Sequence, residues 1–324
     1  MDLDRLRPRR IAAGLARRLS RLAGPAGEGV RPANGAAPPE PAVHPGLRFV
    51  PPGHYYSPLP DVAAVLQEWP RIVSGDPEAI QGIDLREKEQ LQLLDGWDGF
   101  YREQPFGEKR GGGFRYGFEN GSYSYSDALF YHCIIRQFRP RRIVEIGSGH
   151  TTCVALDTSD RFFGGGIQVT CIEPYPELLK DLLLPGDLEG KVKLLPVRLQ
   201  DVPLEVFASL QPNDILFVDS THVSKIGSDV NRILFDIVPR VRPGVLIHFH
   251  DVFYPFEYPR DWIAEGRAWT EAYLLRAFLQ FNDRFEIVAF NTFLESRHPG
   301  LFESRFPLCL RNAGGSLWIR RRGA

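Results

Sequence analysis

Two stretches of the chain place acids and histidines where apolar runs of strand length end. Residues 217–222 read FVDSTH, and residues 245–251 read VLIHFHD. Side chains alternate between the two faces of a strand, so the two histidines of the second stretch share one face and its aspartate stands at the strand end. If the two strands are neighbours, the side chains at their ends lie together at the entrance of one site. The residues expected there are Asp219, His222, His250 and Asp251.

Two chemistries fit this group. His250 beside an aspartate suits a general base that titrates near neutral pH. Alternatively, Asp219, His250 and Asp251 hold a divalent metal that lowers the pKa of a hydroxyl group. Mixed histidine and carboxylate ligation admits Mg²⁺ less readily than Mn²⁺, Fe²⁺ or Zn²⁺. His248 lies inside the strand, and we interpret it as a hydrogen-bonded structural residue.

A glycine turn stands at the end of an earlier apolar run. Residues 144–152 read VEIGSGHTT, in which Gly147 and Gly149 allow a tight turn and a close approach of a ligand to the backbone. A nicotinamide-binding fold prefers a third glycine where this chain has Thr152. The turn alone is a weak signal for a nucleotide-like ligand.

Acids that follow the next two apolar runs strengthen this interpretation. Glu173, in the stretch CIEPYP, stands where a carboxylate accepts hydrogen bonds from ribose hydroxyls. Asp201, in the stretch RLQD, stands where an acid accepts a hydrogen bond from an adenine amino group. The turn and the two acids together predict a nucleoside-containing cofactor.

The elements that position these residues alternate along the chain. Strands are predicted at residues 143–146, 167–172, 192–197, 215–218, 245–249, 285–290 and 316–320. Helices are predicted at residues 61–68 with Asp61 as cap, at 84–98, within 123–136 after Ser124 or Ser126, from residue 151, and at 176–184, 204–210, 224–238 and 261–281. Such alternation indicates parallel βαβ units in a sheet covered on both faces, with ligands bound beyond the carboxyl ends of the strands.

With these motifs, the chain resembles the class I S-adenosylmethionine-dependent methyltransferases over residues 120–322. VEIGSG resembles the motif that holds the methionine part of the cofactor, and the last two strands resemble the family's antiparallel closing hairpin. The resemblance implies an α/β fold of three layers, Rossmann-like, with a mostly parallel seven-stranded sheet and an N-terminal helical extension. The cofactor contacts that it implies are Glu145, Gly147, Ser148, Gly149, Glu173, Gln200, Asp201 and Asp219.

The stretches VDSTHVSKIGSDV and HFHDVFYPFEYP resemble a bacterial subgroup with small-molecule and sugar O-methyltransferases. Some of these relatives bind a divalent metal through acids at the ends of strands four and five, where this chain has Asp219 and Asp251. The resemblance implies O-methylation of a small molecule or sugar, with His250 as base and a divalent cation as a further candidate cofactor. Paired sheet edges would make a homodimer.

Composition narrows the classes of partner. The 324 residues suggest about two domains. The net charge is −1, which disfavours nucleic acid as a partner. No apolar run approaches the ~20 residues of a membrane span. The four cysteines form no CxxC pair, as in reduced proteins of the cytoplasm.

Three regions are predicted along the chain. Residues 1–46 form a basic tail and a linker rich in Pro, Ala and Gly, and are expected to be disordered. Residues 47–140 form a helical cap on the substrate side, and residues 141–322 form the cofactor-binding domain. Residues 1–22 contain seven arginines between regularly spaced apolar residues, so a helix that touches a membrane surface is an alternative to a solvated tail.

Two other functions remain open at this point. One is an NAD-dependent Rossmann oxidoreductase, which Thr152 disfavours. The other is a non-catalytic cofactor-binding module that docks through its basic N-terminal helix, which the acids and histidines at the strand ends disfavour.

Overall fold

The computed structural model describes residue 46, residues 48–73 and residues 79–323. The predicted basic tail and linker therefore lie outside the described residues, apart from Gly46. Within the described part of the chain, no helix is long and apolar enough to cross a membrane.

Seven strands form one sheet in the order β3-β2-β1-β4-β5-β7-β6. The strands are β1 (Arg142–Ile146), β2 (Gln168–Ile172), β3 (Val192–Leu195), β4 (Ile215–Val218), β5 (Leu246–His250), β6 (Phe285–Phe290) and β7 (Ser316–Arg321). The first five strands are parallel, and β7 runs antiparallel between β5 and β6. The predicted mostly parallel sheet with an antiparallel closing hairpin is confirmed.

Helices precede the sheet and connect its strands. They are α1 (Val62–Ile72), α2 (Glu87–Asp95), α3 (Asp98–Arg102), α4 (Tyr125–Phe138), α5 (His150–Phe163), α6 (Glu177–Leu182), α7 (Asp187–Gly190), α8 (Glu205–Ala208), α9 (Asp229–Asn231), α10 (Arg260–Ala264), α11 (Glu271–Leu279), α12 (Asn291–Arg297) and α13 (Pro299–Arg305). Asp61 caps α1 as predicted, because its side chain accepts a hydrogen bond from the N–H of Ala64 at 3.1 Å.

Three predicted helices are wrong in extent. Within residues 84–98, only Glu87–Asp95 (α2) and Asp98, the first residue of α3, are helical. Residues 224–238 begin their helix only at α9, which continues as a π-helical turn over Arg232–Ile237. Residues 261–281 are divided into α10 and α11, because Gly266 takes a left-handed conformation with φ of 84° that ends the first helix.

The chain before β1 is fixed to the sheet by buried contacts. Helix α4 is buried over most of its length and packs against α5. In the loop before α4, the Arg115 side chain is 2% exposed and donates to Asp187 at 2.7 and 2.5 Å and to Asp157 at 2.7 Å. This ion network holds the N-terminal segment against α5 and α7.

Candidate active site

The glycine turn between β1 and α5 forms as predicted. Gly147 has φ of 81°, and a Cβ atom there would lie 2.4 Å from the backbone oxygen of Asp219. Only glycine fits both this conformation and this contact. The turn therefore brings the start of α5 against the end of β4.

Two buried hydroxyl groups lie at this turn and at the start of α5. Oγ of Ser148 and Oγ1 of Thr151 are buried and have no hydrogen-bond partner among the described residues. Both line a cleft that Ser122 and Tyr123 of the N-terminal segment close from the other side, together with Asp219. Buried polar groups are ordinarily paired, so these hydroxyls indicate a polar ligand. Their position at the N-terminus of a 14-residue helix suits its carboxylate or other anionic part.

Glu145 lies beneath this turn. It is fully buried, accepts hydrogen bonds from Tyr131 at 3.3 Å and from Thr152, and lies 3.7 Å from the sulfur of Cys171. Burial raises the pKa of Glu145 to about 7, against the effect of the hydrogen bonds from Thr152 and Tyr131. Its carboxyl group fixes Thr152, and with it the start of α5, and its predicted contact with the cofactor stays a prediction.

The predicted ribose acid stands beside the turn. Glu173 follows β2 directly, and the N–H of Gly147 donates to the backbone oxygen of the preceding residue, Ile172, at 3.0 Å. The Glu173 side chain accepts from the N–H of Tyr175 at 2.9 Å, which holds the carboxylate at the strand end.

The residues predicted for the adenine side follow β3. Gln200 and Asp201 lie in the short helical turn Leu199–Asp201. The carboxylate of Asp201 is about half exposed and pairs with Arg198 at 3.1 Å. The Gln200 side chain donates to the backbone oxygen of Gly227 at 2.9 Å. Asp201 is thus accessible to a ligand, while the Gln200 amide is engaged with a loop.

The four acids and histidines of the strand ends converge. Nε2 of His222 lies 3.5 Å from Oδ1 of Asp219 and 3.6 Å from Oδ2 of Asp251. Nε2 of His250 lies 3.3 Å from Oδ1 of Asp251. Both histidines are buried, with exposures of 5% and 4%. Convergence follows from the pairing of β4 with β5, which places their carboxyl ends side by side.

The backbone is strained at this point. His222 has φ of 60° and Asp251 has φ of 58°, in the left-handed region that non-glycine residues seldom adopt. Both strained residues belong to the convergent group. Strain of this kind is commonly retained at functional sites.

A fifth member of the group, Glu271, was missed by the sequence analysis. Nδ1 of His222 donates to Oε2 of Glu271 at 2.9 Å, and the glutamate is only 1% exposed. Oγ of Ser220 donates to the same oxygen at 2.9 Å. Glu271 is the first residue of α11, and the only signal in the sequence is an acid that follows Thr270 at a helix start.

Opposing effects set the pKa values of the two histidines. Burial alone would lower the pKa of His222, but hydrogen bonds to Asp219 and Glu271 and the charge of Asp251 outweigh it, so the pKa lies well above its usual value. Burial likewise opposes, but does not cancel, the charges of Asp251 and Asp219, and the pKa of His250 is raised. The site is therefore a negatively charged pocket that favours protonated imidazoles.

His248 is structural, as its position inside β5 suggested. Its Nε2 lies 3.0 Å from Oγ of Ser316, whose hydroxyl donates to Asp127 at 2.6 Å. Its ring stacks on Phe217 at 4.0 Å between centroids. Burial and the charge of His250 lower the pKa of His248 well below its usual value, so the ring is neutral.

An aromatic wall, formed by Trp262 and Trp269, borders His222. The ring of Trp269 lies 4.3 Å from the His222 ring. Trp262 packs edge-on against Trp269, and the guanidinium of Arg267 lies 4.2 Å from the Trp262 ring. This wall belongs to the segment between β5 and α11, part of which the sequence predicted as one helix over residues 261–281.

The predicted metal ligands do not fit a metal ion in their present arrangement. Among residues 48–73 and 79–323, no group of three or more His, Cys, Asp or Glu side chains is placed so that it could hold one. The two carboxylate oxygens of Asp251 approach two different imidazoles, Oδ1 at 3.3 Å from Nε2 of His250 and Oδ2 at 3.6 Å from Nε2 of His222. The donors are engaged with one another.

Comparison with known proteins gives a family match over the central strands. Residues 144–252 match a family described as a methyltransferase domain. An uncharacterized protein of Archaeoglobus fulgidus is 36% identical over 176 residues, which are 52% of this chain and 76% of that protein.

Two solved structures are also similar to this chain. The O-methyltransferase TomG from Streptomyces achromogenes, in complex with S-adenosylmethionine, is 14% identical, with a TM-score of 0.41, and the match covers 80% of this chain and 96% of that one. Cofactor-bound Rv0187 from MTB is 15% identical, with a TM-score of 0.40, and the match covers 82% and 98%.

Proposed function

Because this chain belongs to the class I S-adenosylmethionine-dependent methyltransferases, we propose that it methylates a hydroxyl oxygen of a small molecule or sugar. The observation that carries the proposal is the meeting of two imidazoles and two carboxylates at the ends of β4 and β5, next to the glycine turn. A hydroxyl group must lose its proton as it accepts a methyl group, whereas a neutral amine or thioether attacks without a base. A site that gathers bases beside this turn fits an oxygen acceptor best.

The proposal assigns the residues at the glycine turn to the cofactor. In this proposal the turn and the unpaired hydroxyls of Ser148 and Thr151 hold its methionine part. Glu173 accepts from the ribose hydroxyls, and Asp201 lies on the adenine side. S-adenosylmethionine supplies a methyl group on a sulfonium sulfur, which keeps the electron pair of the broken bond and leaves as a neutral thioether.

The proton of the acceptor hydroxyl needs one of the two imidazoles. The sequence points to His250, but the geometry favours His222. A carboxylate holds Nδ1 of His222 from behind, which leaves Nε2 aimed between Asp219 and Asp251. An acid behind one imidazole nitrogen, with the other nitrogen facing the reacting group, is typical of oriented general bases. We therefore assign proton transfer to Nε2 of His222 and place His250 beside it as a second charged partner of Asp251.

The N-terminal region contributes the acceptor side of the site in this proposal. Ser122 and Tyr123 line the cleft, and the Tyr123 ring lies 5.1 Å from the His250 ring. In this proposal the aromatic wall, whose Trp269 ring lies 4.3 Å from the His222 ring, borders the acceptor from the His222 side. Together these surfaces exclude water from the reacting oxygen and hold the acceptor in line with the methyl group.

The two alternative functions find less support. The hydroxyl of Thr152, where a nicotinamide fold would have glycine, is bound to Glu145. The docking alternative depends on residues outside the described part of the chain, and a binding module has no need of an imidazole held by a buried acid.

The proposal is tested by incubating the full chain with S-adenosylmethionine carrying a labelled methyl group and with a panel of phenols, sugars, amines and thiols. Label that enters a hydroxyl compound, with the methyl located on oxygen by NMR, is the expected result. Label transferred only to amines or thiols would overturn the oxygen assignment while leaving methyl transfer intact.

A further inference from the structure

The side chain of Glu271 lies where the methyltransferase match does not reach. The match ends at residue 252, whereas Glu271 begins α11. Its carboxylate nevertheless approaches the strand-end group to 2.9 Å through Nδ1 of His222. A residue outside the matched region thus completes the group that the matched region begins.

Several contacts fix this approach. The backbone N–H groups of Thr270 and Glu271 both donate to the backbone oxygen of His222, at 2.9 and 3.1 Å. Oγ1 of Thr270 accepts from the N–H of Ser224 at 2.8 Å, and Ser220 donates to the Glu271 carboxylate. The start of α11 is therefore docked on the loop after β4 by both main chain and side chains.

The burial of the Glu271 carboxylate is energetically unfavourable. The residue is 1% exposed, and its second oxygen, Oε1, has no hydrogen-bond partner among the described residues. Burial of a carboxylate is strongly unfavourable unless a partner of opposite charge offsets the loss of solvent. Here the partner is the imidazole of His222. The main effect of the Glu271 carboxylate is therefore to orient that ring.

We propose that Glu271 is a positioning residue for methyl transfer, which holds the proton of His222 on Nδ1 and so presents Nε2 to the acceptor oxygen. The inference rests on the proposed function, because it concerns the same reaction. It also explains the burial of the acid, since a carboxylate behind an imidazole both selects its tautomer and stabilises the imidazolium that forms on proton transfer.

The test compares Glu271→Gln with Glu295→Gln. Glu295 is also a buried acid, bonded to Ser126 at 2.6 Å, and lies outside the reacting group. In the labelled methyl assay, Glu271→Gln is expected to lower kcat about 100-fold, the usual effect of a misplaced catalytic group, with KM for the acceptor unchanged. Glu271→Asp is expected to keep part of the activity that Glu271→Gln loses. Glu295→Gln is expected to lower kcat only in proportion to any decrease in the fraction of folded protein.

A second measurement does not depend on the stability of any Glu271 variant. In ¹⁵N NMR spectra of the wild-type chain, recorded at a pH where the His222 ring is neutral, the ring proton is expected on Nδ1. A proton on Nε2 would overturn the inference, as would a Glu271→Gln variant that is folded and keeps its kcat. If Glu271→Gln keeps kcat while His222→Asn loses it, only the inference fails. If His222→Asn also keeps kcat, the proposed base fails with it.

Discussion

Nδ1 of His222 lies 2.9 Å from Oε2 of Glu271, which is 49 residues further along the chain. This contact joins the loop after β4 to the start of α11. It gives one imidazole of the strand-end group a fixed orientation that the other, His250, lacks.

The pair of His222 and Glu271 should make the free energy of unfolding depend on pH. The folded-state pKa of His222 lies well above its ordinary value of 6.5, so its contribution is fully present below about pH 6.5 and is lost as the pH rises through the folded-state value. Glu271→Gln should therefore lower the free energy of unfolding by about 1–3 kcal/mol in mildly acidic solution and by less in alkaline solution. Urea unfolding at both pH values measures this, and an equal or larger loss in alkali would contradict it.

Replacing each histidine should separate their roles. His222→Asn, chosen because asparagine tolerates a positive φ, should lower kcat by about 10²–10⁴-fold, the range for loss of a general base. His250→Asn should lower kcat less, since His250 has no buried acid behind its ring. His298→Gln is the control, because His298 pairs with Glu87, which lies outside the strand-end group. A larger loss for His250→Asn would return the base to the residue that the sequence predicted.

The pH profile should report the same base. Proton acceptance requires the neutral imidazole, and the raised pKa keeps His222 protonated above its ordinary value, so kcat/KM for the free enzyme should rise with pH through a midpoint above 6.5. Asp219→Asn removes a hydrogen bond that raises this pKa and should move the midpoint to lower pH. A midpoint at or below 6.5 in the wild type would contradict the assignment.

The ion network of Arg115 should stabilise the fold. Arg115→Met leaves Asp157 and Asp187 buried without their partner, which should cost about 3–5 kcal/mol. Arg102→Met, which removes an exposed pair with Asp98, should leave the free energy of unfolding almost unchanged. Denaturant titration of both variants measures the difference, and similar effects would show that the network adds no stability.

Much of the sheet could be predicted because its strands are short apolar runs. The predicted fourth strand has the same bounds as β4, and the neighbouring position of β4 and β5 follows from a parallel sheet. The strand-end residues Asp219 and His250 could be found for the same reason, since parallel strands end at one edge.

The features of the site that could not be predicted depend on contacts between residues that are distant in the sequence. Nothing in the spacing of residues links Glu271 to His222, because their approach depends on how the start of α11 docks on the loop after β4. Ser122 and Tyr123 reach the cleft through the packing of α4 on α5. The break at Gly266 was readable from the glycine itself, but the apolar pattern on both sides suggested one continuous helix.

The cofactor site is tested most directly by isothermal titration of the chain with S-adenosylhomocysteine. We expect binding that Glu173→Ala weakens by about 10- to 100-fold, the loss of hydrogen bonds to a charged acceptor. Glu177→Gln, four residues further on and exposed in the first turn of α6, should bind like the wild type. Absence of binding to the wild type, or equal binding by Glu173→Ala, would contradict the placement of the cofactor at this turn.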